Sequence, residues 1–154
     1  CSECLFDLLL TEIVRSLLDG ASARDLGVAR VEEVGFQVGR RIAIRSKRSL
    51  KDHSHMSVMK WICKDFWTFL YKRTASRLQT NHKGVFAIED HNFALTRNIQ
   101  PVDGVDMNRE TLKHLIFPCG IIRGALLTFA IESIVNAEQT TNQHVKFNVQ
   151  VQTS

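Results

Sequence analysis

The chain has 154 residues, 44% of them hydrophobic, and a formal net charge of +4. That length builds one sizeable core but not two, so we predict a single domain over residues 1–154. The charge is too small to require a nucleic-acid partner and is equally compatible with an anionic membrane surface. The longest apolar stretch, Ala125 to Ile131, is far short of the roughly 20 residues that span a bilayer, and no secretory signal is visible. We therefore expect no transmembrane helix and a cytoplasmic location.

The first predicted helix is apolar over more than half of its circumference. Its apolar residues form two adjacent i, i+4 stripes: Leu5, Leu9, Ile13 and Leu17, and Phe6, Leu10, Val14 and Leu18. A helix that packs on one core needs an apolar arc of only about 100°. We therefore expect a second surface, internal or supplied by a partner, to cover the other side.

A second helix is predicted after the break at Gly20 to Ser22. Its apolar positions recur at helical spacing: Val31, Val34, Val38 and Ile42. Acidic residues at its start and arginines at its end complement the helix dipole. The small residues Gly35, Gly39 and Ala43 form a row, and each glycine costs about 1 kcal/mol of helix propensity. Close approach of another helix is the expected compensation.

A third helix is predicted from an aromatic-rich pattern that repeats at three and four residues: Met59, Ile62 or Cys63, Phe66, Leu70 and Leu78. Five aromatic residues between Trp61 and Tyr71 exceed what one face holds, so some must pack on neighbouring helices or a partner. The polar segment Asn81 to Gly84 is predicted to end this helix.

Two hairpins are predicted around a buried helix. Val85 to Asp90 and Phe93 to Arg97 are predicted to pair as strands. Asn98 to Asn108 is predicted to be a surface loop before a short helix at 109–114, and Phe117 to Ile131 a buried central helix. Arg123 in that helix is expected to reach the surface or to pair with an acid such as Glu132.

The C-terminal segment has the clearest period-two pattern of the chain, with alternating apolar residues at Val145, Phe147, Val149 and Val151. It is predicted to pair with Ser133 to Glu138 across the polar turn at 139–143. Helices and antiparallel strands are thus segregated along the chain, which is typical of the α+β class.

No catalytic site, cofactor site or metal site is predicted. The common nucleophile, dinucleotide, phosphate and zinc-protease motifs are missing. Cys1 and Cys4 lack the upstream strand of a redox motif and a second pair of zinc ligands, whereas Cys63 and Cys119 are expected to be buried free thiols. Most histidines outside the His53 to His55 loop are expected to face solvent: His82, His91, His114 and His144. The aromatics follow helical core spacing, which argues against a nucleic-acid stacking platform.

A basic segment without acidic residues contains Arg40, Arg41, Arg45, Lys47, Arg48 and Lys51. Two interpretations stay open for it. It is either a solvated helix end and loop or a surface that contacts anionic lipid.

Seven segments, spread over nearly the whole chain, carry a family resemblance: Leu10 to Val14, Gly35 to Arg40, Trp61 to Trp67, Thr80 to Gly84, Phe117 to Leu126, Ile131 to Val135 and Lys146 to Phe147. In these segments, and in their order, the chain resembles the subunit-6 family of TRAPP tethering complexes. The resemblance implies a fold of helices packed on one side of a twisted four-stranded antiparallel sheet.

The resemblance also implies a partner. In similar subunits the first two helices pair with those of a palmitoylated TRAPP core subunit, and the complex tethers vesicles at the Golgi and promotes nucleotide exchange on a Rab-type GTPase. The exchange chemistry belongs to other subunits. The acylated paralogue carries its lipid on a cysteine just ahead of the third helix, but Ser49 to Val58 contains none, so acylation is not implied here.

The leading hypothesis is an adaptor that heterodimerises with a related TRAPP core subunit and reaches Golgi and endoplasmic reticulum membranes peripherally. Homodimerisation in isolation stays open. The predicted interface centre comprises Leu9, Ile13, Leu17, Val34, Val38 and Ile42. The alternative hypothesis is a domain that encloses a fatty or aromatic small molecule between the buried helix and the sheet.

Overall fold

The computed structural model describes residues 24–93, 107–140 and 143–153 and, singly, Leu9, Glu12, Ile13, Ser16 and Thr96. The four single residues near the N-terminus are helical, in keeping with the first predicted helix, the rest of which lies outside the described residues. The elements are α1 (Arg24–Ser46), α2 (His55–Trp61), a π-helical segment (Ile62–Phe66), α3 (Trp67–Tyr71), β1 (Arg77–Thr80), β2 (Val85–Asp90), α4 (Met107–Leu127), β3 (Ser133–Gln139) and β4 (Val145–Val151). Within the described ranges, no helix is both long and apolar enough to cross a bilayer.

The four strands form one antiparallel sheet in the order β1-β2-β4-β3. The apolar alternation of β4 buries Val145, Phe147, Val149 and Val151. The opposite face of β4 carries Lys146, Asn148 and Gln150, as expected for a sheet covered on one side. The predicted α+β class, with helices packed against a four-stranded antiparallel sheet, is confirmed, and so is the C-terminal hairpin.

Helices α1 and α4 cross at four glycines, two on each helix. A Cβ atom at Gly39 would overlap the Ile121 carbonyl oxygen and lie 2.7 Å from its Cα atom. Conversely, a Cβ atom at Gly124 would overlap the Phe36 carbonyl oxygen and lie 3.0 Å from the Arg40 nitrogen. The predicted close approach is confirmed, and it explains why both helices accept residues of poor helix propensity.

The third helix is shorter than predicted. It ends at Tyr71, because Lys72 adopts a left-handed conformation with φ 59° and its N–H caps the helix on the Thr68 carbonyl oxygen. Leu78 lies on β1, opposite Ile88, so its assignment to the third helix was wrong. The segment 81–84, predicted to end that helix, instead connects β1 to β2.

The β1–β2 turn is built by an asparagine side chain. Asn81 Oδ1 accepts hydrogen bonds from the Lys83 and Val85 nitrogens at 2.8 and 3.1 Å. His82 and Gly84 take positive φ angles of 58° and 87°. An asparagine that bonds its own downstream backbone forms a turn without a preceding helix, which the sequence interpretation missed.

The predicted strand from Phe93 to Arg97 is wrong for the residues the structure describes. Phe93 is not in a strand and Thr96 is helical. β2 already pairs with β1 on one edge and β4 on the other, so no edge remains for a third partner. Phe93 is fully buried instead, with its ring centroid 5.0 Å from that of Tyr71 and 5.4 Å from that of Phe147.

The short helix at 109–114 and the buried helix predicted from Phe117 form one continuous helix, α4, which runs through Pro118. It stops at Leu127 rather than Ile131. The end is a turn in which Ala130 has φ 58° and the Ile131 nitrogen donates to the Leu126 carbonyl oxygen at 3.2 Å. The predicted surface loop before α4 lies outside the described residues except where Met107 and Asn108 are helical.

Candidate partner interface

The predicted interface residues of the first helix expose large apolar side chains. Leu9 is 55% exposed and Ile13, one turn further, is 38% exposed. Leu17 lies outside the described residues. A leucine and an isoleucine exposed on one face of a helix are typical of a surface that another polypeptide covers.

The predicted interface residues of α1 are half-buried. Val34, Val38 and Ile42 form one stripe and pack at its inner side against the hydrophobic core. The neighbouring stripe, which contains Gly35 and Gly39, faces α4 and is fully covered. The valine and isoleucine stripe therefore serves the core of this chain and keeps part of its area accessible.

The basic residues cluster at the C-terminal end of α1 and in the turn that follows. Five of them are exposed: Arg40, Arg41, Arg45, Arg48 and Lys51. Lys47 is half-buried, and its Nζ donates to the Thr128 carbonyl oxygen at 3.3 Å. No acidic side chain of the described residues lies within ion-pair distance of these six, so the cluster presents uncompensated positive charge.

Arg123 ties the two central helices together. Its Nε donates to Glu32 Oε1 at 2.9 Å, and its guanidinium lies 4.3 Å from the centroid of the Phe36 ring. The expected acidic partner is thus found, but it is Glu32 on α1 rather than Glu132. Both contacts hold α1 against α4.

The two described cysteines are poor nucleophiles. Burial raises the pKa of the Cys63 thiol to about 12. Burial, with a smaller contribution from the charge of Glu32, raises the pKa of Cys119 to about 12. Both thiols are free and stay protonated at neutral pH, whereas acylation and redox exchange need the thiolate.

A groove of about 830 Å³ lies between α4 and the edge strand β3. Its walls include Leu112 and Ile116 of α4, Val135 and Ala137 of β3, and Glu32 of α1. Leu112 is 41% exposed, so the groove opens to the surface and is not a sealed chamber. It occupies the position where the alternative hypothesis places a hydrophobic ligand.

The sequence interpretation missed a buried aspartate and a cluster of three polar side chains. Asp90 is fully buried and bonds Trp67, Arg73 and the Asn92 backbone. Glu89, His91 and His144 converge where β2 ends and β4 begins. The predicted exposure holds for His91 but not for His144, which is half-buried. The sequence alone does not reveal this cluster, because its residues come together only when β2 pairs with β4.

The family model described as "Transport protein particle (TRAPP) component" matches residues 6–152. The chain is 36% identical to the zebrafish (Danio rerio) "Trafficking protein particle complex subunit 6b", with 97% of each chain covered. It is 33% identical to the human "Trafficking protein particle complex subunit 6A", with 94% of each covered. Its fold is similar to that of a Naegleria fowleri trafficking protein particle complex subunit 3 covalently bound to palmitic acid, with a TM-score of 0.82, 14% identity and coverage of 99% and 96%. At that identity the last comparison concerns the fold alone.

Proposed function

Because the chain belongs to the family of TRAPP components, we propose that it is a non-catalytic subunit of a TRAPP vesicle-tethering complex that heterodimerises with a related core subunit. The assembled complex promotes guanine-nucleotide exchange on a Rab-type GTPase in traffic between the endoplasmic reticulum and the Golgi. The chain is cytoplasmic and reaches these membranes peripherally, as part of the complex.

The observation that carries the proposal is the exposed apolar side chains of Leu9 and Ile13. Interface cores are depleted in charge and enriched in buried apolar area. The accessible part of the Val34, Val38 and Ile42 stripe adds apolar area of the same kind. We propose that these residues, with Leu17, form the centre of the heterodimer contact.

Ile13→Asp is expected to abolish co-purification with a co-expressed related core subunit. A carboxylate at this position has to lose its hydration without a partner charge, which opposes association. The measurement is size exclusion of the co-expressed pair, with circular dichroism of the isolated variant to verify its helical content.

Ile134→Asp is the matched control, because Ile134 is 50% exposed on β3 and lies outside the proposed contact. It is expected to leave the heterodimer intact. Undiminished co-purification of the Ile13→Asp chain would refute the interface. Native mass spectrometry of the wild-type chain addresses the alternative, since an added small-molecule mass in place of a partner subunit favours a ligand in the groove.

We also propose that the basic cluster faces an anionic membrane surface. A basic residue near such a surface contributes about 1 kcal/mol, so replacing Arg41, Arg45 and Arg48 by alanine is expected to weaken liposome binding roughly 100-fold. The measurement is co-sedimentation with phosphatidylserine-containing vesicles.

The control replaces three exposed lysines outside the basic cluster by alanine: Lys60, Lys64 and Lys83. It removes the same number of positive charges and is expected to weaken liposome binding less. Equal sedimentation of the wild type with neutral and anionic vesicles would remove this proposal.

A further inference from the structure

We infer that Glu89, His91 and His144 form a Zn²⁺ site on the open face of the sheet. The strand register brings them together. Asp90, the last residue of β2, pairs with Val145, the first residue of β4, so His91 and His144 lie immediately beyond the ends of the two strands. Glu89, opposite Lys146 in the same register, brings its carboxylate to both imidazoles.

The distances between the three donor groups suit a small metal ion. Glu89 Oε2 lies 3.4 Å from His91 Nε2 and 3.7 Å from His144 Nε2. One ligand atom from each residue lies within 4.8 Å of the other two. Tetrahedral zinc with bonds of about 2.0–2.2 Å places its donors about 3.3–3.6 Å apart, so movements of at most about 1.5 Å close the site.

The donor set fits zinc better than magnesium or calcium. Two imidazole nitrogens and one carboxylate are ligands that zinc accepts, whereas magnesium and calcium prefer oxygen donors alone. The three protein ligands leave a fourth position for water. Arg77 and Lys146 are the cross-strand neighbours of Glu89. Neither forms an ion pair with it, and the ion-pair contacts of Glu89 are with the two histidines of the cluster.

One nitrogen of the cluster also lacks a hydrogen bond. His144 Nε2 is buried and makes no hydrogen bond, with Glu89 Oε2 of the same cluster 3.7 Å away. Such atoms are rare in native proteins and call for an explanation. A metal ion bound to the nitrogen lone pair supplies one.

The backbone holds both histidines in place. The His91 nitrogen donates to Ser76 Oγ at 3.0 Å, and the His144 carbonyl oxygen accepts from the Thr140 nitrogen at 2.9 Å. Because these bonds fix the main chain at both positions, an ion has to order only the two imidazole side chains when it binds.

The test is titration of the metal-stripped full chain with Zn²⁺ against a chromophoric chelator, repeated with Co²⁺ to obtain the visible spectrum of a four-coordinate ion. One ion per chain is expected. Glu89→Gln, His91→Ala and His144→Ala are each expected to lower the association constant by more than about 100-fold, since outer-shell partners alone are worth 10–100-fold. His82→Ala, at an exposed histidine outside the cluster, is expected to change nothing.

Cys1→Ser combined with Cys4→Ser is expected to retain the wild-type affinity, and loss of binding there would assign the zinc to thiols and overturn the site. Equal affinity of the wild type and the His91→Ala/His144→Ala double variant would overturn it as well. Should His144→Ala fail to fold, Glu89→Gln and His91→Ala decide the question. Zn²⁺ is also expected to raise the unfolding midpoint of the wild type but not of Glu89→Gln.

Discussion

Gly39→Ala is expected to destabilise the fold by about 2–3 kcal/mol, although the same substitution in an ordinary helix interior stabilises by about 1 kcal/mol. The sign reverses because the new methyl group meets backbone atoms of Ile121 on α4, which no rotamer change moves aside. The two helices have to separate, and buried contacts on both sides of the crossing loosen. Urea unfolding of the purified chain gives the free energy directly.

Arg30→Ala is the control, because Arg30 is an exposed residue of the same helix. This substitution places an alanine in α1 without the steric conflict. It is expected to change the free energy of unfolding by no more than about 0.5 kcal/mol. Equal or greater stability of Gly39→Ala would show that α1 and α4 do not cross at these glycines.

The part of the fold that local patterns determine was predictable. The alternation of β4 and the helical spacing of α1 each reflect burial of one face. Such burial determines the spacing of apolar residues within a single segment, so the sequence of that segment shows it. The glycine row was also informative, because two glycines at i, i+4 in a helix are costly unless another backbone lies against them.

The part that depends on pairing between distant segments was not predictable. β1 has one apolar residue, Leu78, in four positions and sits at the sheet edge, so its sequence carries no alternation. Leu78 also continues the helical spacing of Leu70, so it was assigned to the third helix and not to β1. Phe93 belongs to the core through its ring contacts, and its apolar character does not reveal whether a strand or a loop carries it.

The same distinction separates the candidate sites. The apolar stripe on the first helix follows from spacing within one segment, so its residues could be named from the sequence. The Glu89, His91 and His144 cluster follows from the register of β2 on β4, which places His91 beside His144 across a long stretch of chain. Asp90 was missed for a related reason, since its partners Trp67 and Arg73 belong to α3 and the segment after it.

Asp90→Ala is expected to cost about 3–5 kcal/mol, the largest effect of any single substitution proposed for this chain. The Asp90 carboxylate is fully buried and accepts from Trp67 Nε1 at 2.9 Å and from the Asn92 nitrogen at 3.0 Å. It also pairs with Arg73, whose side chain remains 29% exposed. Removing the carboxylate leaves the indole N–H without an acceptor inside the core and the guanidinium without its counter-charge. Thermal unfolding measures the effect, with an expected fall of roughly 6–20 °C in the midpoint for a chain of this size.

Two further substitutions separate the causes of that loss. Asp90→Asn keeps an acceptor for Trp67 but removes the charge. Its unfolding midpoint is therefore expected to lie between those of the wild type and Asp90→Ala. Glu138→Ala removes a carboxylate from an exposed position of β3 and is expected to change stability by less than about 0.5 kcal/mol. If Asp90→Ala and Arg73→Ala were additive in the double variant, the pair would carry no coupling energy, and the loss would belong to the hydrogen bonds of Trp67 and Asn92.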